Sequence, residues 1–135
     1  MKKKIFSTKI NSVAVNLGLL LLRVSIGGIM LTHGYPKLLR LLDGNLKFGD
    51  PIGIGAEGSF ILVVFAEFFA SIALILGFGS RISAFLLSFT MFVAAFIRHA
   101  DDPFSKQELS LTFFVVFFFL LLSGPGKYSV DHKIS

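Results

Sequence analysis

Four apolar stretches, each long enough or nearly long enough to cross a lipid bilayer, constrain this sequence more than any other feature. A transmembrane helix needs about 20 mostly apolar residues, because the hydrocarbon core is about 30 Å thick and a helix rises about 1.5 Å per residue. We predict helices over residues 13–42, 59–78, 82–98 and 107–123. The mean hydropathy of +0.81 agrees, and only 16% of the residues are charged. The sequence therefore predicts an all-α integral membrane protein.

The segments between these stretches contain residues that end helices. The longest of them, "DGNLKFGDPIGIGAEG", is rich in Gly, Asp and Pro and is predicted to be a loop. Shorter breaks, "GFGSR" and "HADDPFSKQ", separate the second, third and fourth stretches. Short connections between long helices are typical of antiparallel neighbours. We therefore expect an antiparallel four-helix bundle, with residues 1–135 forming a single domain.

The distribution of Lys and Arg predicts the orientation. Seven of these residues lie on the side that holds the termini and the "GFGSR" turn, and five lie on the opposite side with most of the acidic residues. The positive-inside rule then predicts cytoplasmic termini. We expect the membrane to be an inner (plasma) membrane of bacterial type. Lysines that face an anionic leaflet explain the net charge of +5 without a nucleic acid partner. "MKKK" before an apolar run resembles a signal peptide, but Arg23 interrupts the run, so we expect this segment to be retained.

The absence of cysteine excludes several chemistries. Thiol–disulfide exchange, thiolate metal sites and disulfides within this chain are impossible. The sequence also has no phosphate-binding loop, nucleophile elbow or zinc signature, so we expect no metal site. Any redox role would need a bound cofactor or a protein partner.

Two charged residues within the apolar stretches require an explanation. Arg23 lies in the first stretch and Glu67 near the middle of the second. A charge at this depth costs a few kcal/mol, so it should face protein or water and find a partner. Because the two helices run in opposite directions, we expect Arg23 and Glu67 to pair near the midplane. Such a pair can be purely structural, or it can mark a path for a substrate, ion or proton.

Other polar residues are predicted to gather at the non-cytoplasmic ends of three helices. His33 and Lys37 lie near the end of the first helix, Arg98 and His99 end the third, and Glu108 begins the fourth. With Glu67 as its floor, this arrangement predicts a polar funnel. The alternative is that these residues extend to water or cap helix ends. Two histidines facing one cavity could also ligate haem, although no sequence motif specifies it.

The sequence resembles the DoxX family of small four-helix membrane proteins. The first-helix segment "LRVSIGGIMLTHGYPKL" has the family's Arg, a Gly-containing apolar turn, and then His-Gly-x-x-Lys. The segments "AEFFASIALILGFGSR", "IRHADDPF" and "GPGKYSVD" follow in family order, so the resemblance extends from about Leu19 to Asp131. The polar positions that recur in the family correspond to Arg23, His33, Lys37, Glu67, Arg81, His99 and Glu108.

The resemblance implies two classes of function. Some DoxX relatives are membrane subunits of oxidoreductases, including a thiosulfate:quinone oxidoreductase, and others are linked to oxidative stress or sulfur metabolism. We therefore expect an oxidoreductase subunit that binds a quinone or a small anion in the polar funnel, working with a protein partner or a second copy of the chain. The alternative is a non-enzymatic scaffold, assembly factor or small transporter, as in more distant relatives. No catalytic residue is assigned.

Overall fold

The computed structural model describes residues 2–135 and is built from α-helices, with no strand among these residues. The helices are α1 (Lys2–Ile5), α2 (Ser12–Leu42), α3 (Ala56–Leu76), α4 (Ser80–Arg98), α5 (Phe104–Ser123) and α6 (Val130–Ile134). Helices α2, α3, α4 and α5 are each long and apolar enough to cross a membrane. The predicted all-α membrane bundle is confirmed.

Helix α2 is longer than a bilayer requires. Its 31 residues span about 46 Å, whereas the hydrocarbon core is about 30 Å thick. The side chain of Asn11 caps its first turn by accepting hydrogen bonds from the amides of Val13 and Ala14 at 3.1 and 3.2 Å. The excess length lets the polar residues of the last turns reach the membrane interface.

Two glycines fix how α2 packs against α3. A Cβ atom placed on Gly34 would lie 2.5 Å from the carbonyl oxygen of Glu67, and one on Gly27 would lie 2.5 Å from Cγ1 of Ile75. The two backbones therefore approach more closely than any side chain would permit. Because the helices are antiparallel, these contacts set a register in which Gly34 lies opposite Glu67 and Gly27 lies opposite Ile75.

The bundle has two distinct ends. We call the end with loop 43–55 and turn 99–103 the loop end, and the end with turn 77–79 and the segment 124–135 the tail end. The interior between them is mostly apolar and includes Met30, Leu74, Leu87 and Phe117. The outer surface is also apolar, as expected for contact with lipid: Ile82 is 70% exposed and Leu21 is 69% exposed.

At the tail end, the C-terminal segment folds back onto the turn between α3 and α4. The carboxylate of Asp131 accepts hydrogen bonds from the amides of Gly79 and Ser80, each 2.8 Å long, and so caps the start of α4. The fully buried Arg23 donates from its guanidinium to the carbonyl oxygen of Tyr128 at 2.6 Å. The C-terminal segment is therefore attached to α2 and α4.

The predicted pair between Arg23 and Glu67 is wrong. Glu67 lies at the level of Gly34, and Arg23 lies at the level of Gly77, where a Cβ atom would collide with its guanidinium. Ten residues of helix, or about 15 Å, separate these levels. Arg23 instead contacts the C-terminal segment, and Glu67 is paired with Lys37. The antiparallel direction was predicted correctly, but the register of the two helices excludes the pair.

Candidate ligand-binding site

A polar cavity lies inside the loop end of the bundle. Its volume is about 220 Å³. Five of its lining side chains are charged or carry an imidazole: His33, Lys37, Glu67, Arg98 and His99. The rest of the wall is mostly apolar and comes from α2, α4, α5 and loop 43–55: Met30, Phe48, Met91, Ala94, Leu109, Ser110 and Phe113. A few polar groups converging in an apolar wall are typical of small-molecule sites.

An ion pair crosses one side of this cavity. The Nζ atom of Lys37 lies 2.5 Å from Oε2 of Glu67. The Glu67 side chain is only 5% exposed, whereas that of Lys37 is 27% exposed. A buried carboxylate in a membrane protein needs such a partner, because leaving it unpaired costs several kcal/mol. Lys37 therefore neutralises Glu67 while keeping contact with the open side of the cavity.

Glu67 is positioned by an irregular stretch of α3. Over Phe65–Ala70 the helix changes to π-helical hydrogen bonding, and Gly34 of α2 packs directly on the backbone at Glu67. A π turn inserts one extra residue and rotates the side chains that follow, and such turns are frequent at functional sites. The close contact with Gly34 fixes the backbone from which the Glu67 carboxylate projects.

A second π turn, Ala94–Arg98, ends α4 and also borders the cavity. Such a turn disturbs the regular pairing of carbonyl groups with amides. The side-chain amide of Gln107 compensates by donating to the carbonyl oxygen of Ala95 at 2.8 Å. Both π turns thus lie where their helices face the same cavity, and each has a contact from a neighbouring helix.

His99 is held by an acidic partner just outside the cavity. Its Nδ1 atom lies 2.7 Å from Oδ2 of Asp102. The hydrogen bond from His99 lowers the pKa of Asp102, partial desolvation opposes this effect, and the positive charge of Lys106 adds to it. Asp102 is therefore ionised at neutral pH and accepts the hydrogen bond, which makes Nδ1 the donor. The other ring nitrogen, Nε2, remains for a ligand.

Loop 43–55 covers part of the cavity and is itself well anchored. Phe48 lines the cavity and packs against Phe60 of α3, with ring centroids 5.3 Å apart. The carboxylate of Asp50 accepts hydrogen bonds from the amide of Gly55 and the hydroxyl of Ser59. The guanidinium of Arg40 donates to the carbonyl oxygen of Lys47 in the loop, and it also lies 4.8 Å from the centroid of the Phe60 ring. The loop therefore forms a fixed part of the wall.

The cavity gathers five of the seven candidate residues. Arg23 lies at the opposite end of the bundle, and Glu108 is exposed and does not line the cavity. His33 lines the cavity, and its ring is nearly perpendicular to that of Phe113, at an interplanar angle of 85° and a centroid distance of 5.8 Å. Asp102 and Gln107 were not among the residues predicted from the sequence. The i, i+3 spacing of His99 and Asp102 in "HADD" was the signal for the first, whereas nothing in the sequence indicates the bond from Gln107 to Ala95.

No group of three or more metal-binding side chains occurs in the part of the chain that the structure describes. His33 and His99 line one cavity, as haem ligation would require. However, the cavity volume of about 220 Å³ lies below the roughly 300–1,000 Å³ typical of sites that enclose a drug-sized molecule. The residues therefore fit a small polar group better than a large macrocycle.

Comparisons with known proteins agree with this architecture. A protein of Haemophilus influenzae described only as uncharacterized is 30% identical, over 83% of this chain and 87% of its own length. The inner membrane protein YqjF of Escherichia coli is 28% identical, over 89% of this chain and 94% of its own length. No solved structure is similar enough to count as a match. The predicted location in the inner membrane is confirmed by this relative and by the four spanning helices. The model of the DoxX family matches residues 18–100, more than half of the sequence, and the chain therefore belongs to the DoxX family.

Proposed function

We propose that this protein is the membrane subunit of an oxidoreductase complex and that the polar cavity binds a quinone headgroup or a small anion. The observation that carries the proposal is the convergence of Lys37, Arg98 and the imidazole of His99 on one cavity of about 220 Å³. Lys37 and Arg98 alone outnumber the single carboxylate of Glu67. A ligand with negative charge or strongly accepting oxygens is therefore favoured.

The lining residues have complementary roles in this proposal. Lys37 and Arg98 donate hydrogen bonds to the ligand's oxygens, and charge-assisted bonds of this kind are roughly twice as strong as neutral ones. His99, held by Asp102, accepts or donates a proton at Nε2, and Glu67 offers a second protonatable group across the cavity. A quinone bound here would supply two-electron, two-proton redox chemistry. The electrons come from a second bound cofactor or from a partner protein, because this chain contains no cysteine that could supply them.

The test measures what the purified protein carries. Quinone extracted from the detergent-solubilised protein is quantified by mass spectrometry, and binding of radiolabelled sulfate is measured in parallel. Lys37→Met should reduce the bound ligand at least about tenfold, because a hydrogen bond to a charged group contributes about 1.5–3 kcal/mol. Lys47→Met is the matched control, since Lys47 is exposed and does not line the cavity.

The two arms separate the ligand classes. Quinone that is lost from Lys37→Met and retained by Lys47→Met supports a quinone site, and sulfate binding with the same pattern supports an anion site. If neither ligand binds the parent protein, or if both variants behave alike, the ligand-binding proposal fails. The scaffold or transporter alternative then remains.

A further inference from the structure

An apolar groove opens on the outer face of the bundle between α3 and α4. Its volume is about 190 Å³, and its wall also includes Pro51 and Ile52 from loop 43–55. Leu62, Phe65 and Phe89 line it and are each about half exposed, at 53%, 51% and 51%. The groove therefore opens toward the hydrocarbon of the bilayer.

The polar side chains in this groove have internal partners. The hydroxyl of Ser59 donates to Asp50 at 3.1 Å, and the hydroxyl of Thr90 donates to the carbonyl oxygen of Leu86 at 2.7 Å. Neither hydroxyl hydrogen is left for a ligand. The groove thus offers an apolar surface, which suits a hydrocarbon chain and does not suit an ion or a polar headgroup.

A small space lies between the groove and the polar cavity and borders both. This neck has a volume of about 80 Å³. It shares Pro51, Val63, Thr90 and Val93 with the groove. It shares Lys37, Phe48, Glu67, Met91, Ala94 and Arg98 with the cavity. The three spaces therefore adjoin one another in order from the lipid face to the ion pair.

We propose that the ligand of the polar cavity is a single-chain amphiphile, namely a prenyl- or alkyl-quinone, whose head lies between Lys37 and Arg98 and whose chain passes through the neck into the groove between α3 and α4. This inference rests on the proposed function and chooses between its two ligand classes. A small free anion would use the cavity alone and would leave the apolar groove without a role. A tailed quinone places polar atoms against the charged residues and carbon atoms against the apolar ones.

The test narrows the neck without touching a charged residue. Val93 lines both the neck and the groove, and Val93→Phe would place an aromatic ring across them. Val115→Phe is the matched control, because Val115 lies on α5, is 58% exposed and lines none of the three spaces. Binding of decylubiquinone and of the tailless headgroup ubiquinone-0 is measured for both variants and the parent protein in the same detergent. Partition of the decyl chain into micelles is common to all three proteins and cancels in the comparison.

We expect Val93→Phe to weaken decylubiquinone binding at least about tenfold and to change ubiquinone-0 binding less than about twofold, with Val115→Phe like the parent. Unchanged binding of decylubiquinone to Val93→Phe would overturn the inference, because the chain would then leave the cavity by another route. That result would not affect the proposed function. Failure of both quinones to bind the parent protein would refute the quinone site itself and with it this inference.

A photoreactive probe gives a measurement that does not depend on a variant. A quinone with a diazirine at the end of a decyl chain should label peptides that contain Leu62 or Phe89 when irradiated with the parent protein. An excess of decylubiquinone should suppress this labelling. Labelling confined to α2 or α5 would place the chain elsewhere and overturn the inference.

Discussion

The contact between Gly34 and the π turn of α3 leads to a sharp prediction about stability. A Cβ atom on Gly34 would lie 2.5 Å from the carbonyl oxygen of Glu67, 2.6 Å from its carbonyl carbon and 2.9 Å from the amide nitrogen of Phe68. All three are backbone atoms, so no side-chain rotation relieves the collision. Ordinary contact begins at 3.4 Å. Gly34→Ala therefore requires α2 and α3 to separate by roughly 0.9 Å at this point, with the loss of close packing around it.

The expected loss follows from two opposing terms. Overpacking of a close interface typically lowers stability by about 1–3 kcal/mol, and a collision with rigid backbone should lie at the upper end of this range. Replacing glycine by alanine within a helix raises stability by about 0.5–1 kcal/mol, because alanine has the higher helix propensity. We therefore expect Gly34→Ala to lower the free energy of unfolding by about 2 kcal/mol. It should also displace the Glu67 carboxylate from Lys37.

Two other glycines of α2 provide a graded series. A Cβ atom on Gly28 meets nothing within 4 Å, so Gly28→Ala should be neutral or stabilising. At Gly27 the nearest atom belongs to the side chain of Ile75, which is only partly buried and can move, so Gly27→Ala should be intermediate. Unfolding by titration with sodium dodecyl sulfate, followed by far-ultraviolet circular dichroism, measures all three variants. Equal stability of Gly34→Ala and Gly28→Ala would refute the close contact.

Two further predictions concern the tail end. We expect a reporter fused at Ser135 to be active only in a format that requires the cytoplasm, because the Lys-rich segments share that side; activity of a periplasm-dependent reporter would contradict this orientation. Desolvation tends to raise the pKa of Asp131, but hydrogen bonds from Ser80 and Gly79 and the charge of Arg23 together lower it. Asp131 should therefore stabilise the protein above its unfolded pKa of about 3.9, and this contribution should disappear as the pH falls through the lower folded pKa. Asp131→Asn should lower the free energy of unfolding by about 1 kcal/mol at neutral pH. On acidification, the variant should lose less stability than the parent protein, as measured by thermal aggregation. An acid response equal to that of the parent would exclude this role of Asp131.

The spanning helices were predictable because their signal is local. Length and hydropathy of about 20 consecutive residues decide whether a segment can cross a bilayer, and Gly and Pro mark where it stops. The predicted start of the fourth helix was 107, whereas α5 begins at Phe104, directly after Pro103. Proline at the edge of a helix is ordinary, so such an end is difficult to place from sequence alone.

The two π turns were not predictable. Neither "FAEFFA" nor "AAFIR" differs in composition from a regular apolar helix. Their irregular hydrogen bonds depend on contacts from other helices, such as the amide of Gln107 on the carbonyl oxygen of Ala95. The cavity could be predicted, because its polar residues lie at the same end of the bundle. The orientation of Glu67 toward Lys37 could not, because it depends on the π turn of α3 and on its contact with α2.

The partner of Glu67 depends on the register of α2 against α3 and not only on the depth of each charge in the bilayer. Both Arg23 and Lys37 carry a positive charge on α2. Arg23 was predicted to be the partner of Glu67 because both residues were expected to lie near the midplane of the bilayer. The close contacts at Gly27 and Gly34 instead place Lys37 one turn beyond the level of Glu67 and place Arg23 about 15 Å away, at Gly77. Groups in contact typically show coupling of about 0.5–3 kcal/mol, whereas distant groups add within about 0.5 kcal/mol.

We therefore expect the double-mutant cycle of Lys37→Met with Glu67→Gln to show coupling above about 1 kcal/mol, because Lys37→Met alone leaves a carboxylate that is 5% exposed without its partner. The cycle of Arg23→Met with Glu67→Gln should be additive, since Arg23 bonds to Tyr128 at the opposite end. Titration with sodium dodecyl sulfate measures both cycles under one condition. Strong coupling of Arg23 with Glu67, and none of Lys37, would mean that α2 and α3 pack in another register, and the cavity geometry would fail with it.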